Sequence, residues 1–303
     1  MKFFKLFSIT LAAITLFALF VSFESKSLGQ APASKTDTVK PTILATDSRP
    51  TTGSKALARF AEAAALNAAL QDELQWTFGN KQQHGWRIYN SLIHQALNSQ
   101  VDAGANEFAS ALAAWQTKKG LDPSGVLDEA SLMAMISDWQ NDRLKNKVYA
   151  EPDQLLTAPS SDFYDPERLE ELRQVERETY AAYKKMVAAA IADPSLHLAH
   201  TDRGELAATE KFFKIVSAFR SREYQEKLRR QSPNAGSAGL ALNSPHFTGR
   251  ALDVYVGGDP VDTKDSNRLT QVQTPLYQWL VRNAPRFGFR PYFYEPWHWE
   301  YVK

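Results

Sequence analysis

The sequence predicts an α+β fold: a C-terminal domain with a small antiparallel sheet and flanking helices, preceded by a small all-α domain. Two changes of texture along the 303 residues carry that prediction. Residues 56–145 are rich in Ala and Leu at helical spacing, whereas 165–303 mix short alternating apolar runs with helical segments and show no regular repeat. Composition sets the outer bounds. A hydrophobic content of 44% is ordinary for packed domains. The 35 basic and 34 acidic residues nearly cancel, so no field gathers a polyanion and no nucleic-acid partner is expected. Cysteine is absent, which leaves any metal to His, Asp and Glu.

The elements follow in order. At the N-terminus Lys2 and Lys5 precede an uncharged run from Leu6 to Phe23, and Glu24 and Lys26 close it. Residues 1–33 therefore read as an export signal, either cleaved near "APA" at 31–33 or kept as a membrane anchor through 6–23. Ser, Thr, Pro and Lys without apolar period make 34–55 a flexible linker. "KALARFAEAAALNAALQDELQW", "WRIYNSLIHQAL" and "NEFASALAAWQTKKG" supply the helices of the 56–145 domain. A second irregular connection spans 146–164. At Asp165, Pro166 and Glu167 the start signals of a helix coincide, with Leu169, Leu172, Tyr180, Tyr183 and Val187 as its buried stripe. Beyond it, "FKIVSAF", "ALDVYV" and "WHWEYV" read as strands, "SREYQEKLRRQ" as a helix capped by Ser221, and "LYQWLVRNAPRFG" as a helix stopped near Gly288.

Chemistry concentrates in two of these stretches. Alternation in "ALDVYV" places Asp253 on a rigid strand among apolar residues, where a lone carboxylate is costly without a partner. The same alternation in "EPWHWEYV" puts His298 and Glu300 on one face and Trp297 and Trp299 on the other. His246 lies in the turn just before Asp253. Two imidazoles and one carboxylate are the ligand set of an open tetrahedral zinc site whose fourth position holds water. His84, His94 and the pair in "HLAH" at 197–200 have no companion acid and read as ordinary packed or solvated histidines.

"SPHFTGRALD" matches the pattern S-x-H-x-x-G-x-A-x-D, and "EPWHWEY" the element E-x-x-H, of the VanY-type zinc D-alanyl-D-alanine carboxypeptidases. "SAFRSREYQ" resembles that family's G-Y-R-S-x-x-x-Q segment, with Ala218 and Phe219 in place of Gly and Tyr. The resemblance covers about 165–303. It implies that His246, Asp253 and His298 bind Zn2+ and that Glu295 is the base that deprotonates the attacking water. Arg220 would hold the developing oxyanion or the substrate's terminal carboxylate, with Gln225 and Ser244 as further polar contacts, Ser244 reading equally well as a turn residue. Gly249 permits the turn between the first two ligands, and Glu300, on the face of His298, reads as a support for that histidine or a surface acid rather than a catalytic one. "FASALAAWQTKKGLDPSGVLDEASLMAM" in turn resembles peptidoglycan-binding repeats through Trp115, Gln116, Gly120, Leu121, Gly125, Val126 and Leu132, which are mostly core and turn positions.

Together these features lead one to expect an exported, monomeric zinc peptidase of the periplasm or cell envelope. Its substrate would be peptidoglycan stem peptides, trimmed of their terminal D-Ala, and the helical domain would hold it to the wall. A peptidoglycan endopeptidase or L,D-carboxypeptidase of the same fold, or a silent wall-binding protein with a structural zinc, are the alternatives. Retention of Glu295 speaks against the last, because a purely structural site closes its fourth position with a protein ligand.

Overall fold

The computed structural model describes residues 52–231 and 244–303. The leader over 1–33 and most of the 34–55 linker lie outside the described residues. Among the described residues no helix is long and apolar enough to cross a membrane.

Pro50–Lys303 form one compact unit. Its N-terminal part consists of α1 (Thr52–Glu73), which starts inside the stretch read as linker, α2 (Asn90–Leu97), α3 (Asn106–Lys118) and α4 (Glu129–Asn141). An antiparallel hairpin, β1 (Gln75–Phe78) and β2 (Lys81–His84), is added to the expected helices. The wall-repeat positions serve the fold. Buried Gln116 on α3 donates through Nε2 to Val126 O at 3.0 Å and Ser131 Oγ at 2.9 Å, and accepts from Gly125 N at 2.9 Å, tying α3 to the turn that launches α4. Asp128 caps α4 by accepting from Ser131 N at 2.8 Å.

The connection over 146–164 is built into the fold instead of hanging free. Ala150 and Leu155 are buried, Ala150 N donates to Phe247 O at 2.9 Å, and β3 (Leu155–Thr157) pairs antiparallel with β4 (Gln174–Glu176). The next helix begins later than its start signals suggest. Asp165 closes a local turn by accepting from Glu167 N at 3.0 Å, Leu169 is exposed, and α5 runs over Arg177–Ile191, capped by Glu176 Oε2 accepting from Thr179 N at 2.8 Å. Tyr183 and Val187 are buried on it.

After α5 comes a four-stranded antiparallel sheet in the order β5-β6-β8-β7: β5 (Ile215–Ser217), β6 (Ala251–Val254), β7 (Phe289–Tyr292) and β8 (Glu295–Tyr301). Between them lie α6 (Arg222–Gln231), whose first turn is capped by Ser221 Oγ accepting from Tyr224 N at 3.1 Å, α7 (Asp265–Val272) and α8 (Pro275–Asn283). Every residue of β6 is buried, because both faces of this central strand are covered. The largest apolar cluster spans both parts of the unit: Trp86, Phe108 and Leu132 of the helical part belong to it with Leu252, Phe293 and Trp299 of the sheet part. Phe78 packs edge-on against Phe293 at 4.9 Å. The fully buried Arg268 of α7 donates to Tyr89 Oη at 2.7 Å, and Gln95 Nε2 donates to Val281 O at 2.6 Å. The helical part thus shares packing and hydrogen bonds with the sheet part, although an irregular connection flanks it on either side.

Candidate metal centre

Strand pairing sets two of the candidate ligands side by side. Asp253 of β6 and His298 of β8 are direct cross-strand partners, and Ser217 of β5 faces Asp253 from the other edge. His246 arrives from a single 3-10 turn, Pro245–Thr248, whose cap Ser244 accepts from His246 N through Oγ at 3.3 Å. Gly249 ends that turn at φ +66°, and a Cβ there would lie 2.9 Å from Leu155 Cδ2 and 3.0 Å from Glu176 N. Glycine thus supplies the left-handed backbone that folds the turn back onto β6.

Each histidine has one ring nitrogen engaged from behind. His246 Nδ1 lies 2.6 Å from Ala218 O. A carbonyl only accepts, so that nitrogen carries the proton and Nε2 presents its lone pair 3.3 Å from Asp253 Oδ1. His298 is reversed: Nε2 lies 3.2 Å from Glu300 Oε1, and Nδ1 lies 2.9 Å from the same Asp253 Oδ1. All three ligand atoms fall within 4.8 Å of one another, and all three residues are buried. Two oriented imidazole nitrogens, each backed by an acceptor, and one carboxylate oxygen fit a tetrahedral zinc ion with an open fourth position.

Electrostatics agree with that reading. Burial pushes the His246 imidazole down to about 4, helped by the nearby Arg220 guanidinium, which keeps its lone pair available. Burial alone would raise the Asp253 carboxyl, yet His246, His298 and Arg220 hold it well below the usual carboxylate range. His298 goes the other way. Burial lowers it, but hydrogen bonds to Asp253 and Glu300 win and raise it to about 9, the response of an imidazole between two carboxylates where a cation is wanted. Glu300 is fully buried and, against its burial, is held at about 2 by His298 and Arg143. Glu295 opens β8, paired with Tyr292. Burial raises it to about 7, within the fields of His298, Asp253 and Arg220.

Arg220 sits behind the cluster. Its Nη2 donates to Asp253 Oδ2 at 2.6 Å and its Nε to Ser217 Oγ at 3.0 Å, so it fixes the carboxylate whose other oxygen faces the histidines. A guanidinium has five N–H donors, and these two bonds use two of them. Of the substrate contacts read from sequence, Ser244 serves as the turn cap and Gln225 is buried on α6. Neither supplies an atom to the three-ligand group. His84, His94, His197 and His200 stay outside it.

Sequence reasoning missed several of the residues that hold the candidate ligands. Ser217 and Ala218 O act from β5 and its end, and the shared face of His298 and Glu300 signalled part of the support. Arg143 and Leu144 had no signal, since they reach Glu300 from 157 and 156 residues away.

No curated protein matched the chain. Residues 172–303 match the family model described as VanY, D-alanyl-D-alanine carboxypeptidase. That span runs from the last residue of the 3-10 turn before β4 to the C-terminus and contains every ligand, Glu295 and Arg220. Over residues 172–303 this chain is accordingly similar to the VanY family of D-alanyl-D-alanine carboxypeptidases, the family that its motifs resemble.

Proposed function

We propose that this protein is a zinc D,D-carboxypeptidase that removes the terminal D-Ala from peptidoglycan stem peptides outside the cytoplasmic membrane. The observation that carries this reading is the convergence of His246 Nε2 and His298 Nδ1 on Asp253 Oδ1, with the buried carboxyl of Glu295 beside them. His246, Asp253 and His298 would hold the ion through those atoms. Bound zinc lowers the pKa of water from ~16 to ~7 and polarises a carbonyl.

The chain's own groups then divide the work. Glu295 takes the proton of the attacking water onto its carboxylate and delivers it to the leaving D-Ala amine. Arg220, already anchored by Ser217 and Asp253, offers its remaining N–H donors to the developing oxyanion or to the terminal carboxylate of the peptide. The uncharged run over 6–23 would deliver the enzyme to the envelope, where its substrate is. The helical part packs against the sheet within one compact unit and frames the peptidase, so any contact it makes with the wall is made beside the candidate site.

Mass spectrometry of soluble stem peptides tests the reading. Loss of a single alanine from a stem ending in D-Ala-D-Ala, stopped by a chelator and restored by zinc, is the expected result. Trimming only of stems that end in one D-Ala would reassign the enzyme as an L,D-carboxypeptidase. Cutting of cross-linked dimers would make it an endopeptidase, and zinc-loaded protein without any product would sink the enzymatic reading.

A further inference from the structure

Glu300 connects the metal centre to the helical part of the molecule. Its carboxylate is fully buried in β8, and each of its oxygens is taken. Oε1 accepts from His298 Nε2 at 3.2 Å and from Arg143 Nη2, while Oε2 accepts from Leu144 N at 2.9 Å. Arg143 and Leu144 lie just beyond the end of α4. Arg143 is itself held: Nη1 donates to Gln140 Oε1 at 2.7 Å, and its guanidinium carbon stands 3.9 Å over the ring of Tyr292. That ring packs edge-on against His298 at 6.1 Å.

We propose that Arg143 is a positioning residue for His298, so that the end of the helical part completes a zinc site whose ligands all lie elsewhere in the chain. The inference rests on the zinc reading given above. A neutral histidine that offers Nδ1 to an ion carries its proton on Nε2, and an acceptor on that proton favours the tautomer and sets the ring's orientation. Arg143 and Leu144 N clamp that acceptor from two directions. Without the guanidinium, Glu300 is left as a buried carboxylate lacking its cation and is drawn away from His298 toward whatever charge or water it can reach.

The test uses the full chain and reads zinc affinity, by competition with a chromophoric chelator, beside the visible spectrum of the cobalt-substituted protein and the melting temperature of the metal-free form. Arg143→Gln is expected to weaken zinc binding by about 10- to 100-fold and to shift the cobalt bands, the usual scale for losing a group that supports a ligand. Glu300→Gln should do the same. The double variant should bind zinc about as well as Glu300→Gln alone, because both changes cut one link. A purely structural role for Arg143 would lower the melting temperature and leave zinc affinity within about twofold of the parent, and that result overturns the proposal. So do losses that multiply in the double variant. If Arg143→Gln fails to fold, Arg143→Lys, which keeps the charge but not the planar fork, decides: a loss of at least about threefold supports the link, and parental affinity refutes it. A parent protein that takes up no zinc at all is a different outcome, since it removes the zinc reading itself and this inference with it.

Discussion

The two histidines of the cluster reach it from opposite kinds of structure. His246 comes from a short turn and is backed by a backbone carbonyl, and its imidazole is held near 4. His298 comes from the middle of a buried strand and is backed by the Glu300 carboxylate, and its imidazole is raised to about 9. Both are buried, so burial alone cannot separate them. The neighbouring charges do: both rings face Asp253, but Arg220 lowers His246, whose far nitrogen meets only a carbonyl, whereas Glu300 on the far nitrogen of His298 adds a second carboxylate. The turn side is thus built on one short segment and held by backbone groups of Ala150, Glu176 and Ala218, while the strand side depends on side chains collected from as far away as Arg143.

Removing the helical part breaks this contrast most severely. Deleting 56–145 takes away Arg143 and Leu144 and strips Tyr89 from Arg268 and Phe78 from Phe293. The expected product is insoluble or lacks a cooperative thermal transition by calorimetry. A folded fragment that binds zinc like the parent would show that the strand side stands alone. Asp253→Ala strikes both sides together, because Oδ1 serves both histidines and Oδ2 serves Arg220. Zinc content and activity should both vanish, and the stranded Arg220 should cost about 3–5 kcal/mol of stability by denaturant titration.

Glu295→Gln should leave both histidines as they are. Turnover on a stem peptide is expected to fall at least about a hundredfold while zinc content and melting temperature remain parental. Glu300→Gln, assayed at saturating zinc, should lose far less turnover, since it acts through His298. Equal losses in the two variants would make Glu295 a ligand or a structural acid.

Two substitutions confined to the turn are smaller and sharpen its local character. Gly249→Ala meets Leu155 and Glu176 in left-handed backbone and should cost about 1–3 kcal/mol, with zinc affinity lowered through His246 alone. Ser244→Ala removes the cap on His246 N and should cost about 1 kcal/mol in stability with little change in turnover. A large rise in KM with unchanged stability would instead mark Ser244 as a substrate contact.

What could be read from sequence follows the same division. The clustering of the three candidate ligands was legible because His246 and Asp253 share one turn-to-strand unit, and because strict alternation separates His298 from Trp297 and Trp299. Gly249 was legible because a turn between two ligands has few other solutions. The start of α5 was misread since Asp165-Pro166-Glu167 satisfies its own hydrogen bonds as a turn, while pairing of β3 with β4 delays the helix until Glu176 can cap it. Hairpin β1-β2, among the polar residues "KQQH", carries too weak an alternation to announce itself. Arg143 was invisible for a simpler reason. A contact spanning 157 residues leaves no local pattern at either end.

Registration of β8 against β6 carries one more consequence. Asp253 faces His298, and the residues one step away in either direction are Trp297 and Trp299, on the opposite face. A slip by a single position therefore swaps imidazole for indole across the whole pairing and leaves no near-miss geometry. For the proposed zinc site, such a slip removes His298 from the ligand set and leaves only His246 and Asp253, so zinc bound per protein is expected to fall with the fraction of mispaired molecules.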